Sequence, residues 1–307
     1  MDEVAKRVLI TGGTGLIGRA LMAGLAGGGC EVVVLSRSPE RAGGLPPGAR
    51  AERWDARTAQ GWGALVDGAW AMVNLAGEGI AAGRWTAERK RRIRESRLDA
   101  GRAVVEAIAA ARDRPAVLVQ ASGVGYYGPC GDEEITEEAR PGGDYLARLA
   151  VEWEAATAAV EAMGVRRVVV RTGIVLSASG GALPRMMLPY RLFAGGRLGG
   201  GRQWVPWIHI ADEAGAIRFL LENEKASGPF NLASPQPVRN AELARFLGRA
   251  MGRPSVVPVP ARLLRLALGE MSDMLLAGQK AVPGRLLQMG YAFRFAEAGA
   301  ALADILH

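Results

Sequence analysis

The sequence predicts an α/β fold, a doubly wound parallel sheet that carries a smaller C-terminal lobe. Three observations predict it. First, short β-branched apolar runs alternate with alanine-rich helical segments, and continuous apolar strands separated by helices mean a parallel sheet covered on both faces. Second, a glycine-rich turn follows the first such run and opens the first helix, as in doubly wound nucleotide-binding sheets. Third, the texture changes after Val175, where Gly180, Gly181, Gly195, Gly196, Gly199, Gly200 and Gly201 crowd a loop-rich region among Met186, Met187, Tyr190 and Phe193.

The elements follow in order. Val8-Leu9-Ile10 is a buried strand, followed by a turn and a helix from Ile17 to Leu25. Glu31 to Leu35 is a second strand, Ala51 to Trp54 a third and Ala71 to Leu75 a fourth. A helix spans Glu88 to Ala111, and Ala116 to Gln120 is the fifth strand. A helix from Tyr145 to Met163 precedes the sixth strand, Arg167 to Arg171. Trp207 to Ile210 reads as a buried strand leading to a cap at Asp212, then a helix to Leu221. That helix and Pro229 to Leu232 are expected to return to the main sheet. Beyond Phe230 the chain reads as helical, punctuated by Pro254, Pro258, Pro260 and Pro283. The division expected is a nucleotide-binding domain over 1–175, rejoined by 209–233, and a substrate-binding lobe over 176–307.

The turn Thr11-Gly12-Gly13-Thr14-Gly15-Leu16-Ile17-Gly18 carries the first functional reading. Gly12 permits a tight turn, Gly15 lets backbone approach a pyrophosphate, and Gly18 lets helix pack on strand. The helix N-terminus at Leu16 and Ile17 offers amide donors and partial positive charge to phosphates. These features point to a bound dinucleotide, the alternative being a close-packed glycine loop with no ligand. An NAD-selective site places a carboxylate about 20 residues after the turn, against the ribose 2′-hydroxyl. Here that place holds Ser36-Arg37-Ser38, with Arg41 a helical turn on. A guanidinium and hydroxyls suit a 2′-phosphate, so the expected cofactor is NADP(H). The alternative is a surface arginine in an arginine-rich chain. Asp55 could accept from the adenine amino group or serve as a turn residue. Asn74-Leu75-Ala76-Gly77 ends the fourth strand with small residues that let a cofactor lie across the sheet edge.

Composition narrows the rest. At 307 residues, 49% hydrophobic and 22% charged, the chain has ordinary globular composition. It has no long uncharged apolar stretch, so no membrane span is expected. The opening Met1 to Arg7 shows no apolar signal core, and a cytoplasmic setting is expected. Cys30 and Cys130 form no metal or disulfide pattern, and with two histidines no metal site is expected. No Gly-x-Ser-x-Gly elbow supports a hydrolase. Net charge is +7; of 38 basic residues four are lysine and 34 arginine. The densest run, Arg84 to Arg97, is interrupted by Glu88 and Glu95 and reads as a solvated helix face. No aromatic-studded groove accompanies it, so a small molecule rather than nucleic acid or membrane is the expected partner.

With these residues in hand the chain resembles the extended short-chain dehydrogenase/reductases of the NAD(P)-dependent epimerase/dehydratase group. The Thr-Gly-x-x-Gly-x-x-Gly turn and the Asn-x-Ala-Gly segment carry the resemblance. It is most similar to a subgroup of epimerase-family proteins of unassigned substrate, through Asn74 to Glu78, Arg84-Trp85-Thr86, Ser96-Arg97 and Gly125-Tyr126-Tyr127-Gly128. Arg171-Thr172-Gly173-Ile174-Val175-Leu176, Trp207 to Ile210, Gly228 to Leu232 and Pro237 to Asn240 continue the series. The resemblance implies a Rossmann domain binding NADP(H), with Arg171 and Gly173 at the cofactor, and a small C-terminal substrate domain.

The wider family works with Ser, Tyr and Lys, the last two spaced Tyr-x-x-x-Lys on a helix. Tyrosine is a poor base at neutral pH, and a nearby lysine and the cofactor's positive ring lower its pKa. Ser122 stands just after the fifth strand, and Tyr145 begins the expected helix with Asp144 as a possible N-cap. The residue four after Tyr145 is Leu149, while Arg148 could share the face of Tyr145. Two readings follow. One is an NADP-dependent oxidoreductase or epimerase in which Ser122 orients the substrate oxygen and Tyr145, Tyr126 or Tyr127 passes the proton, on a nucleotide sugar or other small carbonyl or hydroxyl compound. The other is an NADP(H)-binding regulatory or assembly protein with little turnover. Tyr126 and Tyr127 could instead pack at the nicotinamide end or lobe interface. Glu78, Arg202 and Trp204 are candidate substrate contacts, while His209 reads as structural first.

Overall fold

The structure, a computed structural model, describes residues 6–307; the opening run Met1 to Ala5 lies outside the described residues. The strands and helices of the first half are β1 (Arg7–Thr11), α1 (Leu16–Gly27), β2 (Glu31–Ser36), β3 (Ala49–Arg53), β4 (Ala71–Asn74), α2 (Ala87–Ala110), β5 (Val117–Gly123), the short β6 (Glu134–Ile135), α3 (Tyr145–Ala155) and β7 (Arg166–Thr172). Then come β8 (Ile174–Leu176), α4 (Leu183–Arg191), β9 (Trp204–Val205), β10 (Trp207–His209), α5 (Ile210–Glu222) and β11 (Gly228–Leu232). The chain ends with β12 (Val238–Arg239), α6 (Asn240–Ala250), α7 (Ala261–Leu268), α8 (Asp273–Leu276), β13 (Lys280–Ala281), α9 (Gly284–Gln288) and α10 (Ala298–Leu306).

Seven strands form one sheet in the order β11-β7-β5-β4-β1-β2-β3, and every pairing in it is parallel. The strand order reverses between β1 and β4, so their C-terminal ends open a crevice, where ligands of such sheets bind. The strands are apolar on both faces because both are covered. On one face Val8, Ile10, Val32 and Val34 meet Leu21, Met22 and Leu25 of α1 and Ile217, Leu220 and Leu221 of α5. On the other, Leu9, Val33, Met72 and Leu118 meet Ala100, Ala103, Val104 and Ile108 of α2. A third cluster holds the remainder together, with Leu183 and Tyr190 of α4, Trp207, Leu243 and Leu247 of α6, and Leu302 of α10.

The expected elements are present with shifted ends: β3 is Ala49–Arg53, starting earlier than expected and stopping short of Trp54. β5 runs on through Ser122 to Gly123, pairing Ser122 with Arg171. The helix from Tyr145 stops at Ala155 and passes into a 3-10 turn, Ala158–Met163. α2 presses close just past that end: a Cβ on Gly101 would lie 2.8 Å from the Ala156 Cβ. The cap of α5 is His209 rather than Asp212, since His209 Nδ1 accepts from the Ala211 amide at 3.0 Å. Asp212 is inside the first turn, where its carboxylate accepts from the amides of Arg294 and Phe295. Ile210 accordingly opens the helix and does not extend β10.

Candidate functional site

The site begins where β1 ends. Gly12 has φ +66°, and a Cβ there would sit 2.8 Å from the Leu75 carbonyl. A Cβ on Gly18 would lie 2.5 Å from the Gly13 Cα, so only glycine lets α1 approach the strand this closely. The Gly15 amide closes the turn on the Gly12 carbonyl at 2.9 Å. Thr14 and Gly15 are exposed at its tip, and Gly15 brings no side chain to cap α1. The first-turn amides of Leu16 and Ile17 therefore meet no competing side chain, and the helix dipole is available to an anion. Arg19 braces the tip by donating to the carbonyls of Thr14 and Gly43. A cradle that a methyl group would fill, beneath an uncapped helix start, fits a pyrophosphate.

A buried polar thread ties the neighbouring strand ends together. Thr11 Oγ1 donates to Asn74 Oδ1 at 2.6 Å and accepts from the Ala76 amide at 3.2 Å. Asn74 Nδ2 donates to Gln120 Oε1 at 2.9 Å, and Gln120 Nε2 to the Ala121 carbonyl. All three side chains are fully buried, and such groups rigidify a site when every member is paired. The thread ties the ends of β1 and β4 to Gln120 within β5, which runs on to Gly123, and the segment Asn74-Leu75-Ala76-Gly77 leaves from there. For this role of Thr11 and Gln120 the sequence carries one signal, a polar residue at the end of an apolar run.

At the far side of the turn β2 ends with Ser36, whose hydroxyl accepts from the Ser38 amide. Arg37 is exposed. Its carbonyl receives Arg53, which is held by Glu40, but its own guanidinium makes no hydrogen bond or ion pair among the described residues. Asp55 shapes its own turn, accepting from the Arg57 and Thr58 amides and the Thr58 hydroxyl. Slight burial works to raise its pKa, and those hydrogen bonds outweigh it and hold the carboxyl below its ordinary value.

The basic helix α2 is matched by carboxylates on itself and on the segments around it. Glu78 stands between Arg89 and Arg92, 3.5 Å from each. Lys90 pairs with Glu270 and Arg94 with Glu152, and Arg91 and Arg92 have i,i+4 partners in Glu95 and Glu88. Arg97 is buried, donates to the carbonyls of Glu78 and Ile93, and lies over the Trp153 ring, 4.6 Å from its centre. Cations matched this way offer little to a phosphate backbone, which needs free charge.

On the β5 side, Ser122 is 5% exposed and its hydroxyl donates to Glu154 Oε1 at 2.7 Å. The same carboxylate holds Arg171 through Nε and Nη2, both at 2.9 Å. Arg171 also donates to the Tyr127 hydroxyl, which donates in turn to Asn231 Oδ1 at 2.7 Å. Burial pushes the Tyr127 pKa up to about 12, against the pull of Arg171. Tyr126 covers the Arg171 guanidinium at 3.4 Å. Arg171 thus spends its donors on protein, and a Cβ on Gly173 would strike the Pro206 carbonyl at 2.5 Å, where the chain leaves the sheet to pair β8 with β10.

Tyr145 opens α3, capped by Asp144, whose carboxylate accepts from the Ala147 amide at 2.8 Å. The Tyr145 ring packs edge-on against Trp85, with Lys90 Nζ 4.7 Å from its centre. Its hydroxyl donates to the Lys90 carbonyl over 3.2 Å. Burial raises the Tyr145 pKa, and the nearby Arg97 charge acts against it. Burial lowers the Arg97 pKa to about 10, with Tyr145 and Glu78 opposing. Leu149 is buried in the core side of α3, whereas Arg148 is exposed and donates to the Gly143 carbonyl. In the C-terminal part, Trp204 is flanked by Arg239 and Lys280 and donates to Asp132. Arg202 and Arg239 line an open hollow of ≈ 670 Å³ beside it. His209, 4% exposed, lies against Phe295 with its Nε2 3.3 Å from Asp304; burial lowers its pKa.

The chain matches the model of the NAD dependent epimerase/dehydratase family over residues 8–233, and a domain of unknown function over residues 259–305. It is 41% identical to the mouse epimerase family protein SDR39U1 over 305 residues, covering 98% of this chain and 99% of that one. It is 38% identical to epimerase family protein YfhF of Bacillus subtilis, with 97% of each covered. Among solved structures, human epimerase family protein SDR39U1 with NADPH superposes with a TM-score of 0.88 at 38% identity, over 98% of this chain and 99% of that one.

Proposed function

The chain belongs to the NAD-dependent epimerase/dehydratase family, and from that premise we propose that it is an NADP(H)-dependent oxidoreductase or epimerase in which Tyr145 handles the substrate's hydroxyl proton. The cofactor preference rests on Arg37 and on the NADPH in the human relative's structure. The Gly12 to Gly18 turn and the start of α1 would hold the pyrophosphate. Ser36, Arg37 and Ser38 would hold the 2′-phosphate, with Arg37 free to form a charge-assisted bond. When bound, the nicotinamide supplies or accepts a hydride.

The observation that carries the catalytic reading is the setting of Tyr145. It is a half-buried phenol at the start of α3, set against Trp85 and Lys90 and tethered by one 3.2 Å bond that a substrate oxygen can replace. The family's lysine is absent at Leu149; burial holds the Tyr145 phenol above its ordinary pKa, and the buried Arg97 charge is the group that pulls it the other way. Arginine stays protonated, so it stabilises phenolate but relays no proton. Any proton leaving Tyr145 must therefore pass to substrate or to water. The substrate, a nucleotide sugar or another small hydroxyl or carbonyl compound, would enter between the sheet edge and the C-terminal lobe of residues 176–307, near Glu78, Arg202 and Trp204.

A second reading has a specific observation behind it: the Ser122 hydroxyl is committed to Glu154. A protein that binds NADP(H) but turns over little would show this arrangement. One experiment separates the two. Purified protein is mixed with NADPH and a panel of carbonyl compounds and nucleotide sugars, and cofactor oxidation and sugar isomerisation are followed. The catalytic reading expects turnover that Tyr145→Phe cuts by about a hundredfold or more. Tight NADPH binding with no turnover across the panel overturns it in favour of the second.

A further inference from the structure

The chain has two arginine-rich surfaces, and they differ in one respect. Those on α2 are matched by carboxylates. Residues 183–202 and 245–268 contain nine arginines and no acidic residue. Of these nine, only Arg185 reaches a protein acceptor, the Ala81 carbonyl, and none takes part in an ion pair among the described residues. The two segments lie side by side: the Val257 amide donates to Gly195, Val259 to Arg197, and Gly199 to Val259.

The same two segments carry seven of the nine large apolar side chains that stand exposed among the described residues. Leu192 is 78% exposed, Leu266 76% and Val256 76%. Phe193 projects at a turn with φ +56°, an unusual conformation for a residue with a Cβ. Exposed apolar residues scattered singly need no explanation, but a concentration rimmed by one sign of charge marks an interaction surface. These apolar groups stand exposed beside the arginines of the same two segments. The concavity among them, of ≈ 440 Å³, is lined by Arg245, Arg249 and Arg253 with Ser255, and Val256 stands at its side.

We propose that this face rests on an anionic phospholipid surface, with Leu192, Phe193 and Val256 entering the headgroup boundary and the Arg245-Arg249-Arg253 hollow receiving a phosphate headgroup. Exposed apolar groups beside cations match the bilayer interface, where modest apolar burial adds to attraction for anionic lipids. A second copy of the same face would bring Arg245, Arg249 and Arg253 against like charge, with no acidic residue in 245–268 to pair them. No helix among the described residues is long and apolar enough to cross a membrane, so the contact lies on the surface. It does not depend on the catalytic reading.

The test is flotation of the purified chain with vesicles of phosphatidylcholine alone and of phosphatidylcholine mixed with phosphatidylglycerol. Binding to the mixed vesicles, at least about tenfold above the neutral ones and weakened by salt, is expected. Arg245→Gln/Arg249→Gln/Arg253→Gln and Leu192→Ser/Phe193→Ser should each lower it, with circular dichroism and thermal midpoint showing that the variants fold. Equal retention on both vesicle types overturns the proposal. So does a Leu192→Ser/Phe193→Ser variant that binds as well as the parent, which would mark the face as a general polyanion site for nucleic acid or acidic protein. If a variant fails to fold, the lipid and salt dependence of the parent chain decides.

Discussion

Ser122 Oγ donates to Glu154 Oε1 at 2.7 Å, and Glu154 is the sole carboxylate partner of Arg171 among the described residues. The serine where the family would orient a substrate oxygen is here part of a buried ion-pair cluster. Ser122→Ala is expected to lower stability by about 1 kcal/mol and leave any NADPH-dependent turnover within about threefold. Glu154→Ala would strand the Arg171 charge, 4% exposed, and is expected to cost about 3–5 kcal/mol. Urea denaturation read alongside turnover checks both. A Ser122→Ala chain of unchanged stability and abolished turnover would return the serine to the catalytic group.

Arg37 is expected to decide the cofactor. Its guanidinium stands exposed past β2, and a charge-assisted bond to a 2′-phosphate is worth about 1.5–3 kcal/mol. Arg37→Ala should weaken NADPH by about ten- to a hundredfold and leave NADH nearly unchanged. Titration of both cofactors by fluorescence measures this. Equal losses for the two would show that Arg37 reads no phosphate.

Gly18→Ala tests the cradle itself. Its new methyl would lie 2.5 Å from the Gly13 Cα and 2.6 Å from the Gly12 carbonyl, a clash with backbone that side-chain rotation does not relieve. The variant is expected to lose about 1–3 kcal/mol of stability and at least about tenfold in NADPH affinity, because α1 must tilt away from the turn. Calorimetry of unfolding and of binding measures the two effects. Gly27→Ala is the control, since nothing lies within 4 Å of a Cβ there.

The parts legible in the sequence are those set by local rules. The glycine turn, the seven-strand sheet and the position of Tyr145 behind Asp144 each follow from period, propensity or capping within a few residues. The parts that escaped depend on pairing across the fold. Glu78 reads as a candidate cleft carboxylate, and its ion pairs with Arg89 and Arg92 become visible only in the fold. Ser122 reads as an orienting hydroxyl until Glu154, 32 residues on, claims it. Asp212 reads as a cap because its role, accepting from Arg294 and Phe295, involves residues 82 and 83 positions away. Sequence spacing carries no record of such contacts.

Glu213 makes stability depend on pH. It is fully buried in α5, with one oxygen accepting from the Thr172 hydroxyl at 2.8 Å and the other without a partner among the described residues. Burial raises its pKa from 4.5 to about 8, with the Thr172 bond acting the other way. Above 4.5 the unfolded chain gives up this proton, while the folded chain keeps it to about 8. The folded state therefore binds more protons across that window, and stability must fall as pH rises through it. The loss is at most about 1.4 kcal/mol per pH unit and is fully restored on returning below the lower value. Glu213→Gln keeps the Thr172 bond and removes the titration. Its thermal midpoint is expected to exceed that of the parent at about pH 8 and to match it at about pH 5. Midpoints that move together across this range would place the charge of Glu213 elsewhere than in the folded interior.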